Sequence, residues 1–194
     1  MIQPNLYKGF FDSKPLSSQQ REACLLALEL IQGSFKGKQP QVVQAIRQLL
    51  QEDRIRANPS LQVKALSIRI PLTPPRLQIN FDRFCPPTFS ARVEREKLSI
   101  LYQRGEIDEE RFRGRGRRID EIERRSLLEL TSTLVHEASH VVNGHSLSRK
   151  EDERVAYTAE RDFLLRLPES DQAIAQDLLK DLLQDASEEG VPLS

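Results

Sequence analysis

The stretch Leu134–His145, LVHEASHVVNGH, holds all three histidines of the 194-residue chain, and its reading decides what the rest of the fold has to position. His136 and His140 stand four positions apart. Four residues of α-helix turn through about 400°, so the two imidazoles return to one face, one turn apart, where they can share a metal ion. Glu137 lies about 100° round from His136, placed to reach a water on that ion rather than the ion itself. This HExxH spacing predicts a helix-borne Zn2+ site with three protein ligands and one open position. A random match in a chain this size is on the order of one in a hundred or less, because histidine is rare. Two helical histidines with ordinary partners are the plain competitor.

Working outward, RIDEIERRSLLELTSTLVHEASHVVNG keeps helical spacing through Ile119, Ile122, Leu127, Leu130, Leu134, Val135 and Val141. Asn143 and Gly144 suit a left-handed stop, so the helix is expected to end there. Near the start, LSSQQREACLLALELIQG sets Ser17 three positions before Gln20, runs apolar through Cys24, Leu25, Leu28 and Ile31, and is expected to close at Gly33. KQPQVVQAIRQLLQED predicts a second amphipathic helix with Pro40 in its first turn. From Leu66 the period changes to two: Leu66, Ile68 and Ile70 alternate with Ser67 and Arg69, then Leu77, Ile79 and Phe81 with Gln78 and Asn80. Two strands joined by PLTPPR follow, in a sheet whose prolines suggest exposed edges. CPPTF reads as loop, Arg92 to Tyr102 as a short helix, and RGEIDEERFRGRGRR, with Gly105, Gly114 and Gly116 among dense charge, as loop. Helices from about Lys150 to before Pro168 and over SDQAIAQDLLKDLLQDA complete the chain. The expected organisation is one domain over 1–194, with 1–60 a helical subregion and 61–194 the core that carries the site.

Composition excludes more than it chooses. Basic and acidic residues balance at 29 each, which gives no general reason to expect a nucleic-acid or membrane-surface binder. Their placement is uneven: 24 basic against 17 acidic through Arg149, then 5 against 12 from Lys150 onward. Cys24 and Cys85 are far apart and form no CxxC pair, which argues against a thiolate zinc site or a disulfide framework and for a reducing compartment. No basic-then-apolar leader opens the chain and no stretch approaches a membrane span. A cytoplasmic protein, or one exported without a general secretory signal, is expected.

A third zinc ligand can come from two directions. In a HExxHxxGxxH pattern a glycine turn returns a third histidine, but here Asn143 and Ser146 hold those places, and Gly144 and His145 are each one step out of register. Alternatively KEDERVAYTAERDFLLRLP offers a carboxylate. Glu153 shares a face with Ala156, Glu160, Phe163 and Leu167, and small Ala156 permits close approach to the histidine helix. Glu160 is the second choice on that face and Asp152 a weaker one, while Glu151 reads as a solvated first-turn acid. A carboxylate near a helix start also has the ordinary role of complementing the macrodipole.

LVHEASHVVNGH followed by EDERVAYTAERDFLL resembles the catalytic core of glutamate-type zincin metallopeptidases, most closely the ImmA/IrrE-type group and metallopeptidase domains of bacterial toxins and effectors. The resemblance covers roughly Leu127 to Leu165. It implies His136 and His140 as ligands, Glu137 as general base, Glu153 as third ligand, and a compact α+β fold with a substrate-binding edge strand.

Two functions are then in play. The first is a zinc metallopeptidase acting on a protein or peptide substrate laid along Leu66 to Ile70 or Leu77 to Phe81, with Tyr157, one turn beyond Glu153, as a candidate donor to the oxyanion. The second is a non-catalytic module of zincin shape that contacts nucleic acid or an acidic protein through the Arg111 to Arg118 segment. A solvated charged segment is the commoner role for such arginines.

Overall fold

The computed structural model describes residues 12–35, 40–69, 73–84, 90–144, 147–191 and 193. It is an α+β fold, mainly helical, with one small mixed sheet. The helices are α1 (Ser18–Phe35), α2 (Pro40–Gln51), α3 (Ser90–Gln103), α4 (Glu109–Asn143), α5 (Arg149–Leu164) and α6 (Gln172–Glu188). The strands are β1 (Lys14–Pro15), β2 (Ile55–Ala57), β3 (Ala65–Ile68) and β4 (Arg76–Ile79). Among the described residues no helix is long and apolar enough to cross a membrane.

The sheet runs in the order β1-β2-β4-β3. β4 lies parallel to β2 and antiparallel to β3, with Ile55 opposite Leu77 and Ser67 opposite Leu77 on the other side. The prolines fall in the connection before β4 rather than within it, so β4 keeps its donors and sits in the interior of the sheet. This corrects the expectation that either strand could receive a peptide. Leu77 and Ile79 are fully buried, and Phe81 belongs to a 3-10 turn, Phe81–Arg83. Only β3 of that pair is an edge. β2, three residues long, has too little alternation to stand out in the sequence.

Local signals placed most helices correctly. At the start of α1 the Gln20 amide donates to Ser17 Oγ at 3.2 Å, and the Ser17 amide to Gln20 Oε1 at 2.9 Å. The helix does not close at Gly33. It continues to Phe35, which is buried with its ring 6.2 Å from that of Phe163, so a tertiary contact outweighs the glycine. Leu25, expected inward, is 45% exposed, and Ala27 takes the core position beside Cys24, Leu28 and Ile31. Burial pushes the Cys24 thiol up to about 12, against a smaller opposing effect from Arg21.

The largest correction concerns the arginine-rich segment. Residues 109–118 are the first turns of α4, a single 35-residue helix. Asp108 caps it by accepting the Arg111 amide at 2.8 Å, Arg113 pairs with Glu109 one turn back at 2.6 Å, and Phe112 stacks on Tyr102 of α3 at 4.6 Å. These local contacts hold a helix across Gly114 and Gly116, each costing about 1 kcal/mol relative to alanine. Cys85 and the rest of CPPTF, Ile70 and His145 lie outside the described residues.

α4 organises the molecule. Its second half packs against α1, α2, α5, α6 and β3, and its first half against α3. Leu128, Leu130, Leu134, Val135 and Ala138 enter one core with the inward faces of α1, α2, α5, α6 and the sheet. α4 ends at Gly144, with φ +62°, whose amide still donates to the His140 carbonyl. Four residues later Ser148 forms a reciprocal capping box with Glu151, and α5 returns along α4.

Candidate metal centre

The return of α5 along α4 brings the predicted ligands together. His136 Nε2 and His140 Nε2 are 3.2 Å apart. Glu153 Oε2 is 3.6 Å from the first and 3.5 Å from the second. All three side chains are largely covered, and they are the only group of three or more metal-ligating side chains that converges in this way among the described residues.

The far side of each imidazole faces a carboxylate. Glu160 Oε2 is hydrogen-bonded to His136 Nδ1 at 3.0 Å, and Ser132 Oγ donates to the other oxygen of Glu160 at 2.6 Å. Asp152 Oδ2 lies 2.9 Å from His140 Nδ1, off the line of a directed hydrogen bond, so this contact is mainly electrostatic. Asp152 is fixed by Asn143 Nδ2 on one oxygen at 2.9 Å and by Arg69 Nη2 on the other at 2.7 Å. With both Nδ1 atoms turned to carboxylates, the favoured tautomers direct both Nε2 lone pairs inward. With both imidazoles neutral, two lone pairs and a carboxylate oxygen meet at one point without a donor among them. A cation there satisfies all three, and the two-nitrogen, one-oxygen donor set suits zinc.

The electrostatics agree. Without a metal, burial opposes charge on His136, but Glu153 and Glu160 outweigh it and push the imidazole up to about 10. His140 is also raised, burial again opposing and Glu153 prevailing. Burial would raise Glu153, yet the two imidazoles hold it well below the usual carboxylate range. The cluster favours positive charge at its centre.

Glu137 is on the neighbouring strip of α4, against β3. Burial raises its pKa, partly offset by His136, His140 and a hydrogen bond from the Ser67 amide. Tyr157 packs edge-on against His136, ring centres 4.7 Å apart, and is 7% exposed. Its hydroxyl makes no hydrogen bond among the described residues. Burial, reinforced by Glu189, raises its pKa and keeps it a donor.

The structure thus brings His136, Glu137, His140, Glu153 and Tyr157 into one place. Glu160 and Asp152, read from sequence as alternative ligands, stand behind the histidines instead. Arg69 was not singled out at all, although its place in the Ser67/Arg69 half of an alternating strand was a visible signal. The sequence matches no family model, and no curated protein or solved structure matches it either.

Proposed function

We propose that this chain is a zinc-dependent metallopeptidase that hydrolyses peptide bonds of a protein substrate. The observation that carries the reading is the convergence of His136 Nε2, His140 Nε2 and Glu153 Oε2 within 3.6 Å of one another, each imidazole backed by a carboxylate. Bound zinc supplies a Lewis acid and brings the pKa of a water down to about 7.

The remaining steps belong to side chains of this chain. Glu137 accepts a proton from the attacking water and delivers it to the leaving amine. Its raised proton affinity suits a group that must both take and release a proton. The Tyr157 hydroxyl, protonated and without a hydrogen-bond partner among the described residues, donates to the oxygen that gains charge. A substrate peptide extends along the free edge of β3 and adds main-chain hydrogen bonds.

The test compares wild type with Glu137→Gln, both loaded with zinc and desalted. Metal content is measured, and cleavage of a mixed peptide pool is read by mass spectrometry. One zinc per chain in both, with fragments from wild type alone, is the expected result. A wild type without zinc removes the reading. Zinc in both with fragments from neither favours the binding module.

A further inference from the structure

We propose that Arg69 is a positioning residue that ties the free edge of β3 to the ligand His140, so that zinc binding and the order of the strand are coupled. This rests on the zinc reading above.

The ladder fixes which way β3 faces. The Asn80 amide donates to the Lys64 carbonyl at 2.8 Å, and Leu66 is opposite Gln78. Bonded and non-bonded pairs alternate in an antiparallel ladder. Leu66 and Ile68 therefore turn their main-chain groups toward β4, and Ala65 and Ser67 turn theirs to the open side. The Ser67 amide on that side is the one that faces Glu137.

Arg69, two residues further, reaches the other end of the site with a planar fork. Nη1 donates to the carbonyl of His140 at 3.0 Å and to that of Gly144. Nη2 donates to Asp152 Oδ2 at 2.7 Å, the oxygen that faces His140 Nδ1. Capping the end of α4 accounts for the first nitrogen, since the Gly144 carbonyl lies past the last helical turn, the His140 carbonyl has a second lone pair beside the one that takes the Gly144 amide, and a cation suits a helix C-terminus. It does not account for the second. Through Nη2 the strand, the guanidinium, the carboxylate and the imidazole form one continuous chain of contacts. A lysine can reach one of these partners but cannot bridge both. Because coupling is reciprocal, a metal that fixes His140 steadies β3, and a peptide seated on β3 tightens the metal.

Zinc affinity is measured by chelator competition for wild type, Arg69→Gln, Arg69→Lys and Arg124→Gln. Hydrogen exchange at Ala65 and Ser67 is followed with and without zinc. Arg124, three turns before His136 and about 18 Å along α4, serves as a control that perturbs folding without touching the site. Arg69→Gln is expected to weaken zinc binding at least roughly tenfold. Arg69→Lys should fall between it and wild type, and Arg124→Gln should bind as wild type does. Zinc should slow exchange on β3 in wild type but not in Arg69→Gln. If Arg69→Gln does not fold, Arg69→Lys is judged by the same criteria. Unchanged zinc affinity in the folded Arg69 variants, or an equal loss in Arg124→Gln, overturns the inference. A wild type that binds no zinc removes the zinc reading itself, so the two failures are told apart.

Discussion

α4 is one continuous helix with two characters. Its first half, through Arg125, is charged and mostly exposed, packs against α3, and is held by Asp108, the Arg113–Glu109 pair and the Phe112–Tyr102 stack. Its second half, from Ser126, is buried on several sides and carries the convergent polar cluster. Up to Glu123 the first half needs only neighbours within a turn or two and one antiparallel helix, and Arg124 and Arg125 add pairs to Asp171 and Asp177. The second half depends on β3 and α5, because an imidazole pair becomes a metal centre only when carboxylates arrive from elsewhere in the chain. The candidate site collects in the half whose polar groups are buried, since there each unpaired group is costly and has to be answered by a specific partner.

The largest effect should come from changing one atom type in that half. Glu137→Gln keeps the Ser67 contact available and leaves the ligands alone, but an amide cannot accept the proton. Turnover is expected to fall by about 10²–10⁴ at unchanged zinc content, measured on the best-cleaved peptide of a pool. Cleavage near the wild-type rate would assign the base elsewhere.

Next in size is the division between ligand and bystander. His136→Ala should lose most of the zinc, and Glu153→Ala should weaken it at least roughly tenfold. His145→Ala should alter it only slightly. A competitive titration that ranked His145 above Glu153 would move the third ligand to the connection between α4 and α5.

The two halves of α4 were also unequally legible. The convergence of the two histidines was visible because i,i+4 spacing is a local property, and that of Glu153 because the inward face of α5 follows from Ala156 and Phe163. The partners behind the histidines were not. Glu160 is 24 residues from His136, and Arg69 reaches the carbonyl of His140 across 71 residues, distances that no local pattern reports. The first half failed in the opposite way. Glycines at 105, 114 and 116 suggested a loop, yet only Gly105 of the three has positive φ. The Asp108 cap and the Glu109–Arg113 spacing, both present in the sequence, outweigh the two glycines.

At the junction of the halves, Arg124 forms a two-pronged pair with Asp171, which is 3% exposed at the start of α6. Removing the cation leaves a buried carboxylate without its partner. Full burial of both groups would put the loss at about 3–5 kcal/mol. Arg124 is about one-third exposed, and water screens part of the interaction, so Arg124→Gln is expected to cost about 1–2 kcal/mol in urea unfolding. A loss under about 0.3 kcal/mol would mean that water replaces the guanidinium at Asp171.

The smallest effect tests the helical character of the first half directly. Gly114 and Gly116 have no positive φ, and a Cβ built on either meets nothing within 4 Å. In a helix, replacing such a glycine with alanine restricts the unfolded chain and adds no clash, which stabilises by about 0.4–1 kcal/mol per site. In a loop the same change brings little, because alanine has no helical conformation to favour there. Gly114→Ala and Gly116→Ala should each raise stability by that amount and slow amide exchange between Glu109 and Arg118, with zinc affinity unchanged. Zinc binding that moved with either substitution would mean that the two halves of α4 are coupled along the helix axis, and the division between them would have to be redrawn.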